Sequence, residues 1–173
     1  MDELSELGIK YGTDKGTKHH YLSVYYDMFK DRKESIRYLL EIGVAEGAGL
    51  YMFRDFFPNA HIFGAEKDFE RVFKEERVTV FQCDQSSMED LERLMSRTMY
   101  FDIVIDDGSH KLHDQINTCL KLMSLLNTDV TYIIEDVSDP DSIVKALYHY
   151  DTEVIKVGDR YDDCLVIVKH KHG

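Results

Sequence analysis

The fold of this chain is decided by two segments, Phe101-Asp-Ile-Val-Ile-Asp-Asp-Gly-Ser-His110 and Thr131-Tyr-Ile-Ile-Glu-Asp-Val137. Each begins with a β-branched apolar run of about the length of a strand and ends in acidic residues. Between them, Lys111 to Leu126 has apolar residues at helical spacing, which predicts a strand–helix–strand unit. Such units place consecutive strands parallel, about 4.8 Å apart if they are neighbours, so the carboxylates that end them are expected to converge on one cation.

The composition limits the class of protein to which such a site can belong. With 173 residues, 43% hydrophobic and 31% charged, the chain is expected to form one globular domain, 1–173, with a real core. No segment reaches the roughly 18 uninterrupted apolar residues of a membrane span. The first residues, Met1 to Glu6, are acidic where a secretory signal is basic and then apolar, which predicts a cytoplasmic location. The three cysteines show no zinc spacing and are predicted to be free, buried thiols.

The net charge of −12, from 21 basic and 33 acidic residues, is the second limit on function. A negative field of this kind repels phosphate backbones, so nucleic acid is not expected as a partner. Acidic pockets that recruit a cation suit such a chain better.

The remaining sequence alternates strand-like and helical segments, with no linker or repeat. The pattern predicts a Rossmann-like, doubly wound α/β sheet of seven strands, mostly parallel and closed by an antiparallel edge hairpin. An N-terminal helical segment, 1–34, precedes it and carries a helix near Tyr21 to Lys33. Strands are predicted near 37–42, 61–65, 78–83, 101–106, 130–135, 153–157 and 163–169, and the other helices near 47–57, 68–76, 87–97, 111–126 and, more weakly, 141–148.

In such sheets ligands bind beyond the carboxyl ends of the strands. The first strand is followed by glycines 43, 47 and 49, spaced G-x-x-x-G-x-G, whereas a dinucleotide fingerprint needs G-x-G-x-x-G. This spacing favours a nucleoside ligand without a pyrophosphate. Glu66 ends the second strand, where a carboxylate can accept hydrogen bonds from ribose hydroxyls, and Asp84-Gln85 follows the third, where a polar pair can read an adenine edge. Polar or glycine-rich segments at the ends of three successive strands together favour adenosyl binding.

Four blocks of this sequence resemble a known family. They are Tyr11-Gly-Thr-Asp-Lys15 with His20-Tyr21, Leu40-Glu-Ile-Gly-Val44, Cys83-Asp-Gln85, and Asp106-Asp-Gly-Ser-His110 with Ile133-Ile-Glu-Asp136. The chain resembles the class I S-adenosylmethionine-dependent methyltransferases. More narrowly, it is similar to the metal-dependent sugar O-methyltransferases of the mycinamicin-pathway type and their short relatives from polysaccharide gene clusters.

The resemblance implies roles for particular residues. Asp107, Glu135 and Asp136 would ligate a metal, and His110 would be the general base beside Asp107. The N-terminal segment would fold over the cofactor. Contacts to S-adenosylmethionine would come from Thr13, Lys15, Glu41, Gly43, Gly47, Glu66, Asp84, Gln85 and Asp106.

The chemistry of sugar methylation requires residues of these types, namely metal ligands and a general base. A hydroxyl is a poor nucleophile at neutral pH, and a divalent cation can lower the pKa of bound water from 15.7 to about 7, with a similar effect expected on an alcohol. Ligation by carboxylates alone suits Mg²⁺ or Mn²⁺. His110, three residues after Asp107, would take the released proton, and the oxygen would attack the sulfonium methyl in line.

A purely structural role remains an alternative for each of these segments. The residues 106–109 and 135–136 also suit turns and helix caps. The stripe of Tyr21, Tyr25 and Phe29 predicts core packing, and His19-His20 is predicted to be solvated.

Alternative functions are a non-catalytic adenosyl-binding subunit of a glycan-assembly complex and methylation of a small molecule other than a sugar, and a homo-oligomer is possible. A nicotinamide-dependent reductase is disfavoured by the glycine spacing.

Overall fold

The computed structural model describes residues 1–97 and 100–171 of the chain. Its helices are α1 (Glu3–Tyr11), α2 (Asp14–Thr17), α3 (Leu22–Phe29), α4 (Ala48–Phe56), α5 (Met88–Met95), α6 (Leu112–Met123) and α7 (Pro140–Ala146). Its strands are β1 (Tyr38–Ile42), β2 (His61–Glu66), β3 (Lys74–Glu75), β4 (Val78–Gln82), β5 (Ile103–Asp106), β6 (Thr131–Ile134), β7 (Asp151–Lys156) and β8 (Cys164–Lys169). Among these residues, no helix is long and apolar enough to cross a membrane.

All the strands belong to one sheet, in the order β3-β4-β2-β1-β5-β6-β8-β7. Neighbours from β4 to β6 pair in parallel, and β7 and β8 form the predicted antiparallel hairpin, with β8 beside β6. The doubly wound α/β class is therefore confirmed. The order turns at β1, which lies between β2 and β5, so a crevice for ligands is expected where β1 and β5 end.

The predicted count of seven strands is wrong, because the structure has an eighth, β3. The helix predicted near 68–76 is also wrong: this segment holds a short 3-10 turn, Phe69–Arg71, followed by β3, which pairs antiparallel with β4. Arg77 makes the return turn with a positive φ of 57° and donates to the carbonyls of Arg54, Phe57 and Ala60. A strand of two residues is too short to show a periodic pattern, and the long-range contacts of Arg77 have no signal in the local sequence.

Alternation along the central strands sorts their side chains onto two faces of the sheet. Leu39, Ile105 and Ile133 pack with α1, α3 and α4, whereas Leu40, Val104 and Ile134 pack with α5, α6 and α7. The three cysteines are free and buried, as predicted. Continuing the alternation beyond the strand ends directs Glu41, Asp107 and Glu135 toward the first face, where the N-terminal helices lie.

Candidate functional site

A cavity of about 660 Å³ opens at the carboxyl ends of the central strands, at the turn of the strand order. Of the predicted site residues, Gly43, Glu66, Asp84, Gln85, Asp107, His110 and Asp136 line it. Thr13, Lys15, Glu41, Gly47, Asp106 and Glu135 are not part of its lining. The first group comes from the exits of five parallel strands, which the sheet brings to one edge.

Three potential metal ligands meet in this cavity. One ligand atom each from Asp107, His110 and Asp136 lies within 4.8 Å of the others. His110 Nε2 is 4.0 Å from Asp107 Oδ1 and 3.8 Å from Asp136 Oδ2, too far for hydrogen bonds and close enough for a shared cation. The two carboxylates at the cavity wall fit Mg²⁺ or Mn²⁺, which prefer oxygen ligands, whereas an imidazole is more typical of zinc, copper, iron or nickel sites.

Two of these residues have strained backbones. His110 and Asp136 adopt φ values of 55° and 52°, in the left-handed region that costs a non-glycine residue about 1–3 kcal/mol. The surrounding contacts hold the first of these turns in place: Gln85 Oε1 accepts from Ser109 N at 2.6 Å, and Ser109 Oγ donates to Asp114 Oδ2 at 2.6 Å. The strain therefore lies where the side chains must point into the cavity.

Gly43 is required by the close approach of β1 to the residues after β5. Its φ is 83°, and a Cβ there would lie 2.2 Å from the carbonyl oxygen of Asp107. Asp107 N in turn donates to Ile42 O at 2.9 Å, so the parallel ladder continues past the strand ends. Because Gly43 has no side chain, the turn after β1 can lie directly against the turn that carries Asp107.

Glu135 lies beside Asp107 but has a different environment from the other predicted ligands. Asp106 pairs with Ile134 in the sheet, so Asp107 and Glu135 are adjacent and share a face. Both Glu135 carboxylate oxygens accept from Lys15 Nζ, at 2.9 and 2.8 Å, and Oε1 also accepts from the Tyr25 hydroxyl. The acceptor capacity of Oε1 is thereby used, whereas Oε2 keeps one lone pair.

Lys15 has a different environment from the one predicted for a cofactor contact. Its ammonium lies within 3.1 Å of carboxylate oxygens of Glu41, Asp107 and Glu135, and its side chain is 3% exposed. Burial alone would lower the pKa of Lys15, but the charges of these carboxylates raise it well above its ordinary value. Lys15 is thus a buried internal cation. Thr13, whose hydroxyl caps α2, is also buried.

Glu41 shares this buried cluster and is not exposed to the cavity. Burial raises the pKa of Glu41 to about 7, against the opposing charge of Lys15. Its Oε2 has no hydrogen-bond partner among the described residues. The contact of Glu41 to the cofactor stays a prediction.

The N-terminal segment supplies three more side chains that the sequence reading did not assign to the site. Tyr21 and Tyr25 are buried, as the stripe predicted, yet their hydroxyls donate to Asp136 Oδ1 at 2.7 Å and to Glu135. The prediction that His19 is solvated is wrong, because it is 2% exposed and contacts Asp136 and Asp163, while His20 is exposed. Hydroxyl groups on an apolar stripe are the only signal of this role in the sequence.

At the ends of β2 and β4, Glu66 and Asp84 hold neighbouring loops. Glu66 Oε2 accepts from the amides of Val44 and Ala45 at 3.0 and 3.1 Å, which ties β2 to the turn after β1. Hydrogen bonds from Lys67 and Ser86 lower the pKa of Asp84 to about 2, so it is ionised at neutral pH. Both carboxylates line the cavity and keep lone pairs for a ligand.

Gln85 and Asp106 form a buried pair beneath the cavity. Gln85 Nε2 donates to Asp106 Oδ1 at 2.9 Å and to Thr118 Oγ1 at 3.3 Å, so both N–H groups of this amide are used within the protein. Asp106 also accepts from the Tyr132 hydroxyl and is 1% exposed, on the face of the sheet opposite Asp107. Asp106 thus helps to position Gln85, and its contact to the cofactor stays a prediction.

Asp106 gives a testable pH dependence. Burial raises its pKa from the ordinary 3.8 to about 6. The folded chain then binds more protons than the unfolded one between these values, so folding stability falls as pH rises through them, by about 3 kcal/mol from this group. In Asp106→Asn this loss is absent, and the free energy of unfolding of the variant, relative to wild type, is expected to rise by about 2 kcal/mol from pH 4 to 6 in urea titrations.

Asp84→Asn is the matched control for this titration. Because the pKa of Asp84 is lowered, its contribution to stability is present above pH 3.8 and is lost only as pH falls toward about 2. It should therefore add no slope between pH 4 and 6. Equal slopes for Asp106→Asn and wild type would contradict the burial argument.

Comparison with known proteins places this geometry among methyltransferases. No protein-family model matches the chain. It is 36% identical over 145 residues to mycinamicin VI 2''-O-methyltransferase of Micromonospora griseorubida and 33% identical to demethylmacrocin O-methyltransferase of Streptomyces fradiae, in each case over 78% of this chain and 36% of the relative. The chain thus spans about a third of the length of these relatives.

A solved structure extends the likeness to the fold. The MycE methyltransferase from the mycinamycin biosynthetic pathway, in complex with Mg, SAH and mycinamycin VI, superposes with a TM-score of 0.77 and 26% identity, covering 97% of this chain and 54% of that one. The chain is therefore homologous to sugar O-methyltransferases of the mycinamicin and tetracenomycin type and has the class I S-adenosylmethionine-dependent methyltransferase fold.

Proposed function

We propose that this chain is a divalent-metal-dependent O-methyltransferase that moves the methyl group of S-adenosylmethionine to a hydroxyl of a sugar in a glycan or glycoside. One observation carries the proposal: ligand atoms of Asp107, His110 and Asp136 meet in a cavity that also reaches Gly43 and Glu66. A cation site and the turn expected to hold the donor therefore share one space. The named relatives act on glycosides, which supports a sugar acceptor.

The ligands of the cation would be Asp107 and Asp136, with Glu135 joining through the remaining lone pair of Oε2. When bound, the cation would supply a Lewis acid that stabilises negative charge on the acceptor oxygen, an effect worth several kcal/mol. A vicinal diol offers two oxygens to such a site, which suits a sugar. Lys15, fixed behind Asp107 and Glu135, limits their mutual repulsion.

His110 is proposed as the general base. Its side chain is 44% exposed at the cavity wall, and its Nε2 faces the two carboxylates. From this position Nε2 can take the proton of an acceptor hydroxyl held beside Asp107 and Asp136.

S-adenosylmethionine would lie along the turn after β1, with its ribose hydroxyls near Glu66 and its adenosyl group near Asp84. The donor supplies the methyl group as an electrophile bound to a sulfonium. Segment 1–34 would close this region from the side of α2, where Asp14 and Lys18 line the cavity. A cytoplasmic location and a homo-oligomer remain predictions, and so do all the assigned cofactor contacts: Thr13, Lys15, Glu41, Gly43, Gly47, Glu66, Asp84, Gln85 and Asp106.

The proposal is tested by incubating the protein with S-adenosylmethionine and a panel of glycosides, and measuring by mass spectrometry the gain of one methylene unit. We expect transfer to at least one vicinal diol, loss of transfer in chelator, and recovery with Mg²⁺. Donor binding without transfer to any sugar would favour the alternative of a non-catalytic subunit. Transfer to non-sugar hydroxyls alone would replace the acceptor class. The net charge of −12 argues against nucleic acid as the acceptor.

A further inference from the structure

His19 lies between two carboxylates from distant parts of the chain. Its Nδ1 is 3.2 Å from Asp163 Oδ1 and 3.3 Å from Asp136 Oδ1. Ionised carboxylates only accept hydrogen bonds, so this nitrogen must carry the proton. The imidazole thus connects the N-terminal segment to the second residue after β6 and to the residue before β8.

Asp163 is itself held firmly. Its Oδ2 accepts from Arg160 N at 3.0 Å, and its backbone oxygen accepts from Val157 N at 3.0 Å. A Cβ on Gly158 would lie 2.3 Å from Asp163 Oδ2, so the hairpin turn closes tightly around this carboxylate. Asp163 therefore offers a fixed acceptor that sets the position of the His19 ring.

The two oxygens of Asp136 face different surroundings. Oδ1 receives the Tyr21 hydroxyl at 2.7 Å and lies at His19 Nδ1, whereas Oδ2 faces His110 Nε2 across the cavity. The strained φ of 52° at Asp136 persists only where surrounding contacts hold the residue in place. The contacts on Oδ1 give this support and leave Oδ2 for a ligand.

We propose that His19 is a positioning residue which, anchored on Asp163, fixes Asp136 so that its Oδ2 points into the cation site. This inference rests on the proposed function. It assigns a specific atom, Nδ1, rather than the bulk of the ring, because Nε2 has no hydrogen-bond partner among the described residues. Packing alone, including the stacking of His19 on Tyr21 at 5.2 Å, needs neither nitrogen.

Two amide variants of His19 distinguish the role of Nδ1 from that of the rest of the ring. The side-chain nitrogen of asparagine can take the place of Nδ1, whereas that of glutamine reaches the place of Nε2. The affinity for Mn²⁺ alone, measured by electron paramagnetic resonance, should fall about 10- to 100-fold in His19→Gln, as for other groups that orient metal ligands. It should be largely retained in His19→Asn. The same pair of substitutions at exposed His20 is the control and should leave Mn²⁺ affinity unchanged.

Asp163→Asn keeps the shape of the anchor and tests the same network without touching the ring. It should also weaken Mn²⁺ binding, and adding it to His19→Gln should cost less than the product of the two single effects, because both act through one contact. Thermal unfolding of each variant identifies any that fails to fold, in which case the other one decides. Wild-type Mn²⁺ affinity in folded His19→Gln or Asp163→Asn overturns the inference, as does equal loss in His19→Asn and His19→Gln. A wild-type chain that binds no Mn²⁺ contradicts the proposed function itself.

Discussion

Replacing His110 by alanine is expected to lower the turnover of methyl transfer by about 100- to 10,000-fold, the usual contribution of a general base. Binding of S-adenosylmethionine should be unchanged, because the turn after β1 and Glu66 do not contact this side chain. The His110 side chain is 44% exposed, so its removal should cost little packing, and alanine keeps the same backbone φ of 55°. Single-turnover rates and calorimetric binding of the cofactor are the measurements.

The metal affinity of His110→Ala separates two roles that the geometry allows. Its Nε2 belongs to the group of atoms that can share a cation, so the residue can be a ligand or a base. A base predicts unchanged Mn²⁺ affinity with lost turnover, and a ligand predicts that both fall together. His149→Ala, which alters an exposed histidine after α7, is the control. Unchanged turnover in His110→Ala would remove it from the chemistry.

Asp107→Ala is expected to lower turnover by about 100- to 1,000-fold and to weaken the response to Mg²⁺, because Lewis-acid stabilisation is worth several kcal/mol. The fold should tolerate this change. Lys15 keeps Glu41 and Glu135 within 3.1 Å, and the variant removes one of three negative charges from around it. Turnover measured against Mg²⁺ concentration should therefore show a higher half-saturating concentration and a lower maximum.

Asp129→Ala is a suitable control for this measurement, since Asp129 is an exposed carboxylate in the loop before β6. It makes the same change in net charge and should leave the Mg²⁺ response unaltered. A wild-type Mg²⁺ response in Asp107→Ala would show that Asp107 is not a ligand. Loss of response in both variants would point to a general field effect of the acidic surface.

The sequence predicted those parts of the fold and site that depend on local pattern. Alternating strands and helices identified the doubly wound sheet, and acidic residues after β5 and β6 identified the carboxylates near the cavity, because parallel strands end at one edge. Alternation also explains why Asp106, one residue from Asp107, faces the opposite layer. The alternation of a strand makes that distinction predictable from the sequence.

Long-range contacts were not available in the sequence. Lys15 precedes Glu41 and Glu135 by long stretches of chain, and no periodicity indicates that its ammonium binds them rather than the cofactor. The burial of His19 likewise depends on Asp163, near the other end of the chain. Such pairs are fixed by how the N-terminal helices pack on the sheet, which is a tertiary property.

The central claim is that carboxylates from the ends of β5 and β6 hold a cation directly beside the reactive carbon of the donor. It is tested most directly by the distance between Mn²⁺ and the ¹³C-labelled methyl group of S-adenosylmethionine in the complex with an acceptor glycoside, measured by electron–nuclear double resonance. A metal–oxygen contact of about 2.1 Å and a reacting distance of about 3.3 Å limit this separation to about 5.4 Å. We predict a coupling within that limit, which is lost in Asp107→Ala. A bound Mn²⁺ with no coupling to the methyl carbon would contradict the account.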